Sequence, residues 1–243
     1  MKIANKTILI TDANRGIGRA LVDEALNRGA KRVYAGTRGS LQHQDKRATA
    51  LTLDVTSNSQ IQQAAIEVGT LDILINNAGI FLLDDDLSDS ELIERQFKVN
   101  LLGPFNMTRA FLPQLKLSRG AIVNILSLAG LAPVPSAPAY SISKAALLSM
   151  TQSFRMLLAS NGVSVHSAIL GPIDTDMTRK LEIPKTSPEV AARGICDGFE
   201  NGEEDIFPDP AAASIAEGWR TGVAKGLEQQ FAGFLKESAQ SPA

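Results

Sequence analysis

Apolar positions along the chain follow two patterns that alternate from one end to the other. Short runs rich in β-branched residues, typical of buried strands, lie near residues 6–10, 32–37, 49–53, 71–75, 121–126, 163–169 and 204–207. Longer stretches with helical spacing lie near residues 16–28, 57–68, 88–117, 138–160, 187–200 and 210–235. This alternation predicts an α/β fold with a doubly wound, mostly parallel seven-stranded sheet and helices on both faces.

The domain organisation follows from the same pattern. No long linker or internal repeat divides the chain, so residues 1–243 are predicted to form a single domain. Residues 209–236 are expected to be a helical segment, within which Trp219 to Leu235 has the spacing of one amphipathic helix. Pro104 has no N–H to donate to the carbonyl of Asn100, so a kink is expected in the long helical stretch.

Composition excludes several classes of function. The net charge is −2, with 24 basic and 26 acidic residues mixed along the chain, which gives no support for nucleic acid or an anionic membrane as a partner. A single cysteine excludes an internal disulfide framework, and two histidines without a ligand cluster argue against a metal site. Without a span-length apolar run or a signal peptide, the expected location is cytoplasmic.

The first predicted strand leads directly into a glycine-bearing turn. Residues 11–18 read Thr-Asp-Ala-Asn-Arg-Gly-Ile-Gly, follow the apolar run Thr7–Ile10 and precede a helical stretch. Small residues let the backbone approach a ligand, and a helix N-terminus favours an anion. The strand, turn and helix together therefore predict a phosphate-binding unit.

A second motif suits proton transfer. Tyr140 and Lys144 are four residues apart in a predicted helix, so their side chains share one face, and Ser127 lies thirteen positions before the tyrosine. A free tyrosine has a pKa near ~10, and a neighbouring ammonium group is expected to lower it. A serine hydroxyl aimed at the same point could hold a substrate oxygen, so the set predicts proton transfer to oxygen.

With both motifs in view, the chain resembles the short-chain dehydrogenase/reductase family, in its short single-domain branch, over roughly residues 5–208. The cofactor signature of that family, Thr-Gly-x-x-x-Gly-x-Gly, is matched at Thr11, Gly16 and Gly18, but Asp12 replaces the first glycine. The family's other motifs are matched by Asn76-Asn77-Ala78-Gly79, Asn100, Ser127, Tyr140 with Lys144, and Gly171–Met177, where Leu170 replaces the usual proline.

The resemblance implies a Rossmann-like fold and an NAD(P)-dependent oxidoreductase that interconverts a carbonyl and an alcohol. It implies a catalytic set of Asn100, Ser127, Tyr140 and Lys144. It also implies a small-molecule substrate beneath a covering loop at 178–188, and a homodimer or homotetramer. The residues that it assigns to cofactor binding are Thr11, Asn14, Arg15, Gly16, Ile17, Gly18, Arg38, Asp54, Val55, Asn77, Ala78, Gly79, Tyr140, Lys144, Gly171, Ile173 and Thr175.

The end of the second strand favours one cofactor over the other. An acidic residue at this point binds the ribose hydroxyls of NAD, whereas an arginine suits the additional phosphate of NADP. Here the strand ends Ala-Gly-Thr-Arg at residues 35–38 without an acid, and Arg15 could join Arg38 at the phosphate. NADP(H) is therefore expected, with NAD(H) as the alternative.

Asp12 leaves a second function open. Its side chain either bonds local backbone, as aspartate does in turns, or adds negative charge near the cofactor and weakens binding. In the second case the protein would be a non-catalytic dinucleotide-binding sensor or scaffold. A sugar-nucleotide epimerase or dehydratase on the same fold ranks lower, because only a short region follows the last predicted strand.

Overall fold

The computed structural model describes residues 1–84 and 87–238. Its strands are β1 (Thr7–Thr11), β2 (Arg32–Thr37), β3 (Ala48–Thr52), β4 (Ile73–Asn76), β5 (Ala121–Ser127), β6 (Ser164–Leu170) and β7 (Asp205–Ile206). All neighbours pair in parallel, in the order β3-β2-β1-β4-β5-β6-β7. The predicted seven-stranded doubly wound sheet is confirmed.

Helices cover both faces of this sheet. They are α1 (Gly16–Asn27), α2 (Asn58–Val68), α3 (Ser90–Phe97), α4 (Gly103–Ser118), α5 (Pro138–Leu158), α6 (Pro188–Asn201), α7 (Pro210–Ala213), α8 (Ala216–Arg220) and α9 (Val223–Ser238). Apolar side chains of α1 and α6 pack on one face, and those of α2, α4 and α5 on the other. Because both faces are covered, β1 and β4 are buried throughout, which explains their unbroken apolar runs. No helix in the described part of the chain is long and apolar enough to span a membrane.

The order of the strands places the ligand site. The chain runs outward from β1 to β3 and then returns to place β4 on the other side of β1. At this reversal the loops after β1 and β4 diverge to opposite faces and leave a crevice at the carboxyl ends of the strands. The two sequence motifs lie beside this crevice, after β1 and on the helix that follows β5.

The long helical stretch at 88–117 is not regular throughout. α3 and α4 are joined by one π-helical turn at Lys98–Leu102, in which the Gly103 amide donates to the Lys98 carbonyl five residues earlier. Pro104 cannot donate to the Asn100 carbonyl, which accounts for the loss of regular α-helical bonding here. The structure shows a π-helical turn at the point where a kink was expected.

The C-terminal helical segment differs from the prediction. Trp219 to Leu235 is not one helix, because α8 ends at Arg220 and α9 begins at Val223. Gly222 lies in the break, and its amide donates to the Trp219 carbonyl to close a tight turn. A glycine lowers the cost of leaving the helical conformation, which the apolar spacing alone does not reveal.

Buried charges fasten this segment to the sheet. Asp205 on β7 accepts hydrogen bonds from Arg155 at 2.8 Å and from the Trp219 indole at 3.0 Å, and pairs with Lys225 at 2.9 Å. Glu228 contacts both Arg155 and Lys225. Burial alone would raise the pKa of Asp205, but the Arg155 charge and the hydrogen bonds from Trp219 and Lys225 hold it at about 2. We call these five residues the C-terminal clasp.

The C-terminal clasp leads to a stability prediction. Asp205→Ala leaves two buried cations short of a partner, so the free energy of unfolding should fall by about 3 kcal/mol in urea denaturation. Asp197→Ala removes an exposed partner of Arg28 and should cost less than about 1 kcal/mol. A loss of unfolding free energy for Asp205→Ala as small as that for Asp197→Ala would show that the clasp does not stabilise the fold.

Candidate active site

A cavity of about 610 Å³ lies at the carboxyl ends of β1, β4, β5 and β6. Its size suits a ligand larger than a simple metabolite. The predicted site residues that line it are Arg15, Gly16, Ile17, Gly18, Asn77, Gly79, Ser127, Tyr140, Lys144, Gly171, Ile173 and Thr175. Those outside its lining are Thr11, Asn14, Arg38, Asp54, Val55, Ala78 and Asn100.

The turn after β1 has the shape of a phosphate cradle. Gly16 has φ +51°, a conformation that favours glycine, and a Cβ on Gly18 would lie 2.2 Å from the Asp12 carbonyl oxygen. Arg15, at the N-cap of α1, makes no side-chain cap bond, so it occupies none of the free amides of the first turn. These features fit the phosphates of a dinucleotide.

Asp12 lines the cavity, also with positive φ, at +52°. Aspartate tolerates this left-handed conformation better than most residues do. Within the described residues its carboxylate has no hydrogen-bond or ion-pair partner, so the interpretation that it bonds local backbone is wrong. An unpaired carboxylate remains at the edge of the phosphate cradle.

Thr11, which lies behind the cavity, and Asn77, which lines it, hold the cavity wall together. The Thr11 hydroxyl accepts from the amides of Asn77 at 3.0 Å and Ala78 at 2.9 Å. The Asn77 side chain donates back to the carbonyls of Thr11 and Asp12. The turns after β1 and β4 are therefore fixed to each other on both sides of the crevice.

The residues predicted to bind the adenosine end lie together beyond the cavity. Arg38 is exposed. Asn14 lies next to Gly39, since a Cβ added to Gly39 would be 3.3 Å from the side-chain amide nitrogen of Asn14. Burial alone would raise the pKa of Asp54. Hydrogen bonds from Thr56 and the charge of Arg38 outweigh burial and lower it. Arg38 and Asp54 are thus electrostatic neighbours at the ends of β2 and β3.

Tyr140, Lys144 and Ser127 come together as predicted. The Lys144 nitrogen lies 5.8 Å from the centroid of the Tyr140 ring, and Ser127 is close enough to the Tyr140 hydroxyl to influence its pKa. Lys144 is 5% exposed and donates to the Ile125 carbonyl at 2.8 Å. The three side chains project from the end of β5 and the first two turns of α5 into one cavity.

The protonation of this group differs from the prediction. Burial raises the pKa of Tyr140 to about 12, although Ser127 acts in the opposite direction. Burial also lowers the pKa of Lys144 to about 8. The expected lowering of the tyrosine pKa by the lysine does not appear, and burial is the larger influence on the phenol.

Asn100 acts on the site from behind. Its side-chain oxygen accepts from the Ile80 amide at 2.8 Å, and its nitrogen donates to the Ile80 carbonyl at 2.9 Å and to Ser143 at 3.0 Å. Ser143 in turn donates to the Tyr140 carbonyl at 2.7 Å. Ser143 was not among the predicted site residues, although its place directly before the lysine was a usable signal.

The predicted covering loop is closed at its base. The Asp174 amide donates to the Thr186 carbonyl at 2.8 Å, and the Thr186 amide to the Pro172 carbonyl at 3.0 Å. Between these points Met177, Leu181 and Ile183 contribute to the cavity. Asp176 in the same loop pairs with Arg15 across the crevice at 3.4 Å. Among the described residues no cluster of histidine, cysteine or carboxylate side chains could hold a metal ion.

Solved structures and curated sequences resemble this chain over most of its length. The crystal structure of a short chain dehydrogenase from Burkholderia cenocepacia J2315, in complex with NADP, superposes with a TM-score of 0.85 at 36% identity, covering 91% of this chain and 95% of that one. The 3-oxoacyl-(acyl-carrier-protein) reductase FabG of Thermotoga maritima is 34% identical over 224 residues, covering 85% of this chain and 89% of that protein.

Two further matches agree with these. The short-chain dehydrogenase srdE of Neurospora crassa is 37% identical over 195 residues, which are 76% of this chain and 67% of that protein. The family model for short chain dehydrogenase matches residues 6–185, a range that holds the cradle, the crevice and the tyrosine and lysine of α5. The chain belongs to the short-chain dehydrogenase/reductase family.

Proposed function

We propose that this protein is an NADP(H)-dependent oxidoreductase that interconverts a ketone or aldehyde and the corresponding alcohol. The observation that carries the proposal is the presence of Ser127, Tyr140 and Lys144 in one cavity with the phosphate cradle. The phosphate cradle and the proton-transfer group both face the crevice at the carboxyl ends of the strands. A dinucleotide and a small substrate could therefore meet there.

The cradle and the residues beyond it fit the cofactor. The turn after β1 would hold the pyrophosphate, Arg38 and Arg15 the additional phosphate, and Asp54 with Val55 the adenine. Asn77 to Gly79, Gly171, Ile173 and Thr175 would line the remainder of its path. When bound, the nicotinamide supplies or accepts the hydride. The NADP complex of the Burkholderia relative supports the choice of cofactor.

The proton chemistry belongs to the residues of this chain. A phenol with a pKa of about 12 is protonated at neutral pH, so Tyr140 is ready to donate to a substrate oxygen in the reducing direction. Ser127 would hold that oxygen beside the phenol. Lys144, with a pKa near 8, would bind the nicotinamide ribose, and Asn100 would hold α5 in place through Ser143.

We place the protein in the cytoplasm as a homodimer or homotetramer. Exposed apolar side chains on the surface of α5 and the adjoining π turn, namely Leu102, Ile142 and Leu157, support an interface formed by these helices. The small-molecule substrate would be nonpolar, since Met177, Leu181 and Ile183 contribute apolar surface to its side of the cavity.

A non-catalytic dinucleotide sensor is the alternative, and Asp12 favours it. The unpaired carboxylate would repel the phosphates of a cofactor seated in the cradle. This alternative and the oxidoreductase differ in cofactor affinity and in turnover, so both can be measured on the same protein.

Replacement of Tyr140 tests the reaction. Tyr140→Phe removes the proton donor and should slow NADPH oxidation by a panel of ketones and aldehydes by on the order of a hundredfold or more, while NADPH affinity stays within about twofold. Tyr34→Phe, in the buried strand β2, is the matched control and should keep full turnover. A Tyr140→Phe protein with native turnover would refute the proposal.

Cofactor titrations followed by nicotinamide fluorescence test Arg38. The native protein should bind NADPH more tightly than NADH, and Arg38→Leu should weaken NADPH binding by about tenfold with little change for NADH, because it removes a charged phosphate ligand. Lys46→Leu removes a cation from the loop before β3 without a proposed cofactor role, and should change neither affinity.

The same titration on Asp12→Gly separates the two functions. Tight binding of NADPH by the native protein, with only a modest gain in affinity for the glycine variant, would support the oxidoreductase. Weak native binding of both cofactors, restored by glycine, would support the sensor instead.

The pKa of Lys144 predicts how stability depends on pH. The folded value is about 8 and the ordinary value 10.5, so between these values unfolding takes up a proton and the free energy of unfolding rises with pH. Relative to Lys144→Met, the native protein should gain about 2 kcal/mol from pH 8 to pH 10 in urea denaturation.

Lys225 is a matched control for this experiment. It is also buried, but the carboxylates around it outweigh burial and raise its pKa, so it stays charged in both states across this range. The effect of Lys225→Met should therefore be constant from pH 8 to pH 10. A constant effect of Lys144→Met as well would mean that its amino group is not desolvated.

A further inference from the structure

The segment Ile80–Asp84, which follows the turn after β4, is held along its length by side chains from other elements. Asn100 binds both the amide and the carbonyl of Ile80. Gln96, one helical turn earlier and fully buried, pairs in the same way with the amide and the carbonyl of Leu82, each at 3.4 Å. Two amide side chains thus bind alternate residues of the segment as a neighbouring strand would.

The last residue of the segment reaches the catalytic helix. α5 begins without a cap of its own, because its N-cap residue is Ala137, whose side chain cannot accept a hydrogen bond. The Asp84 carboxylate instead accepts from the Ala139 amide at 3.1 Å, from 55 positions away in the chain. The Asp84 amide also donates to the Ser136 carbonyl in the loop before α5. A carboxylate at the N-terminus of a helix is also attracted by the positive end of the helix dipole.

Between these anchors, Phe81 meets Tyr140. The two ring centroids are 4.9 Å apart and the ring planes lie at 87°, an edge-to-face contact. Phe81 and Tyr140 both line the cavity. The segment therefore holds an aromatic ring against one side of the tyrosine, while Ser127 lies at its hydroxyl.

We propose that Asp84 is a positioning residue for Tyr140, which supplies the missing cap of α5 and thereby holds Phe81 against the phenol ring. The consequence for turnover rests on the proposed function, but the placement of the ring does not. A phenol displaced by about 1 Å would no longer be placed correctly to donate to the substrate oxygen beside Ser127. Removal of the carboxylate should therefore affect the chemical step more than cofactor binding.

The experiment uses the fact that the chain has only two tyrosines. In a Tyr34→Phe background, ring-¹³C tyrosine labels Tyr140 alone, and the ring current of Phe81 contributes to its chemical shift. Phe81→Leu defines the shift when that contact is lost. Asp84→Ala should move the resonance toward the Phe81→Leu position, whereas Asp84→Asn, which retains an acceptor for the Ala139 amide, should restore it.

Two further measurements complete the test, namely turnover by Asp84→Ala and a control variant that lacks the cap of a different helix. Asp84→Ala should lower kcat on the order of ten- to a hundredfold, with NADPH affinity unchanged. Ser57→Ala removes the cap of α2, away from Tyr140, and should leave both the resonance and kcat unchanged.

Two results would overturn the positioning role. One is an Asp84→Ala protein with the native resonance; the other is a Phe81→Leu protein with the native resonance, which decides the matter even if Asp84→Ala fails to fold. Full turnover by Tyr140→Phe would instead refute the proposed function and leave the resonance result to stand by itself.

Discussion

The site depends on the way α5 is fixed to the sheet by buried polar groups. Asn76 donates to Asn124 at 2.8 Å, and Asn124 donates to Thr151 on α5 at 2.9 Å. A buried donor without its partner costs about 1–3 kcal/mol, so the helix cannot slide along the sheet without a penalty. Gly130 adds a steric limit, since a Cβ there would lie 2.9 Å from the Lys144 backbone. Tyr140 and Lys144 inherit their positions from these contacts.

Much of this arrangement could be predicted from the sequence because it is local. Runs of β-branched residues separated by helical spacing gave the correct strands, and parallel pairing then brought the turns after β1 and β4 to one edge. Tyr140 and Lys144 share a helix face through their spacing alone. The position of the irregular turn near Asn100, although not its π-helical form, followed from Pro104, whose missing N–H is a covalent property of the residue.

The remainder could not be predicted because it depends on distant neighbours. Nothing local indicates that Asp84 caps a helix that begins 54 positions later, or that Gln96 binds the backbone of Leu82. The protonation of Tyr140 and Lys144 also depends on burial, which a four-residue spacing does not report. Gly222 shows the same limit on a smaller scale, since apolar spacing continues through a point at which the helix stops.

The C-terminal clasp bears on how the protein responds to heat. The hydration of charged groups becomes less favourable as temperature rises, so the penalty for burying Asp205, Arg155 and Lys225 shrinks, while apolar contacts gain little. These charges contribute to the attachment of α8 and α9 beside the apolar contacts of Ala216 and Trp219, and hence the attachment weakens less on warming than a purely apolar contact of the same extent. Both helices should therefore melt together with the sheet rather than before it.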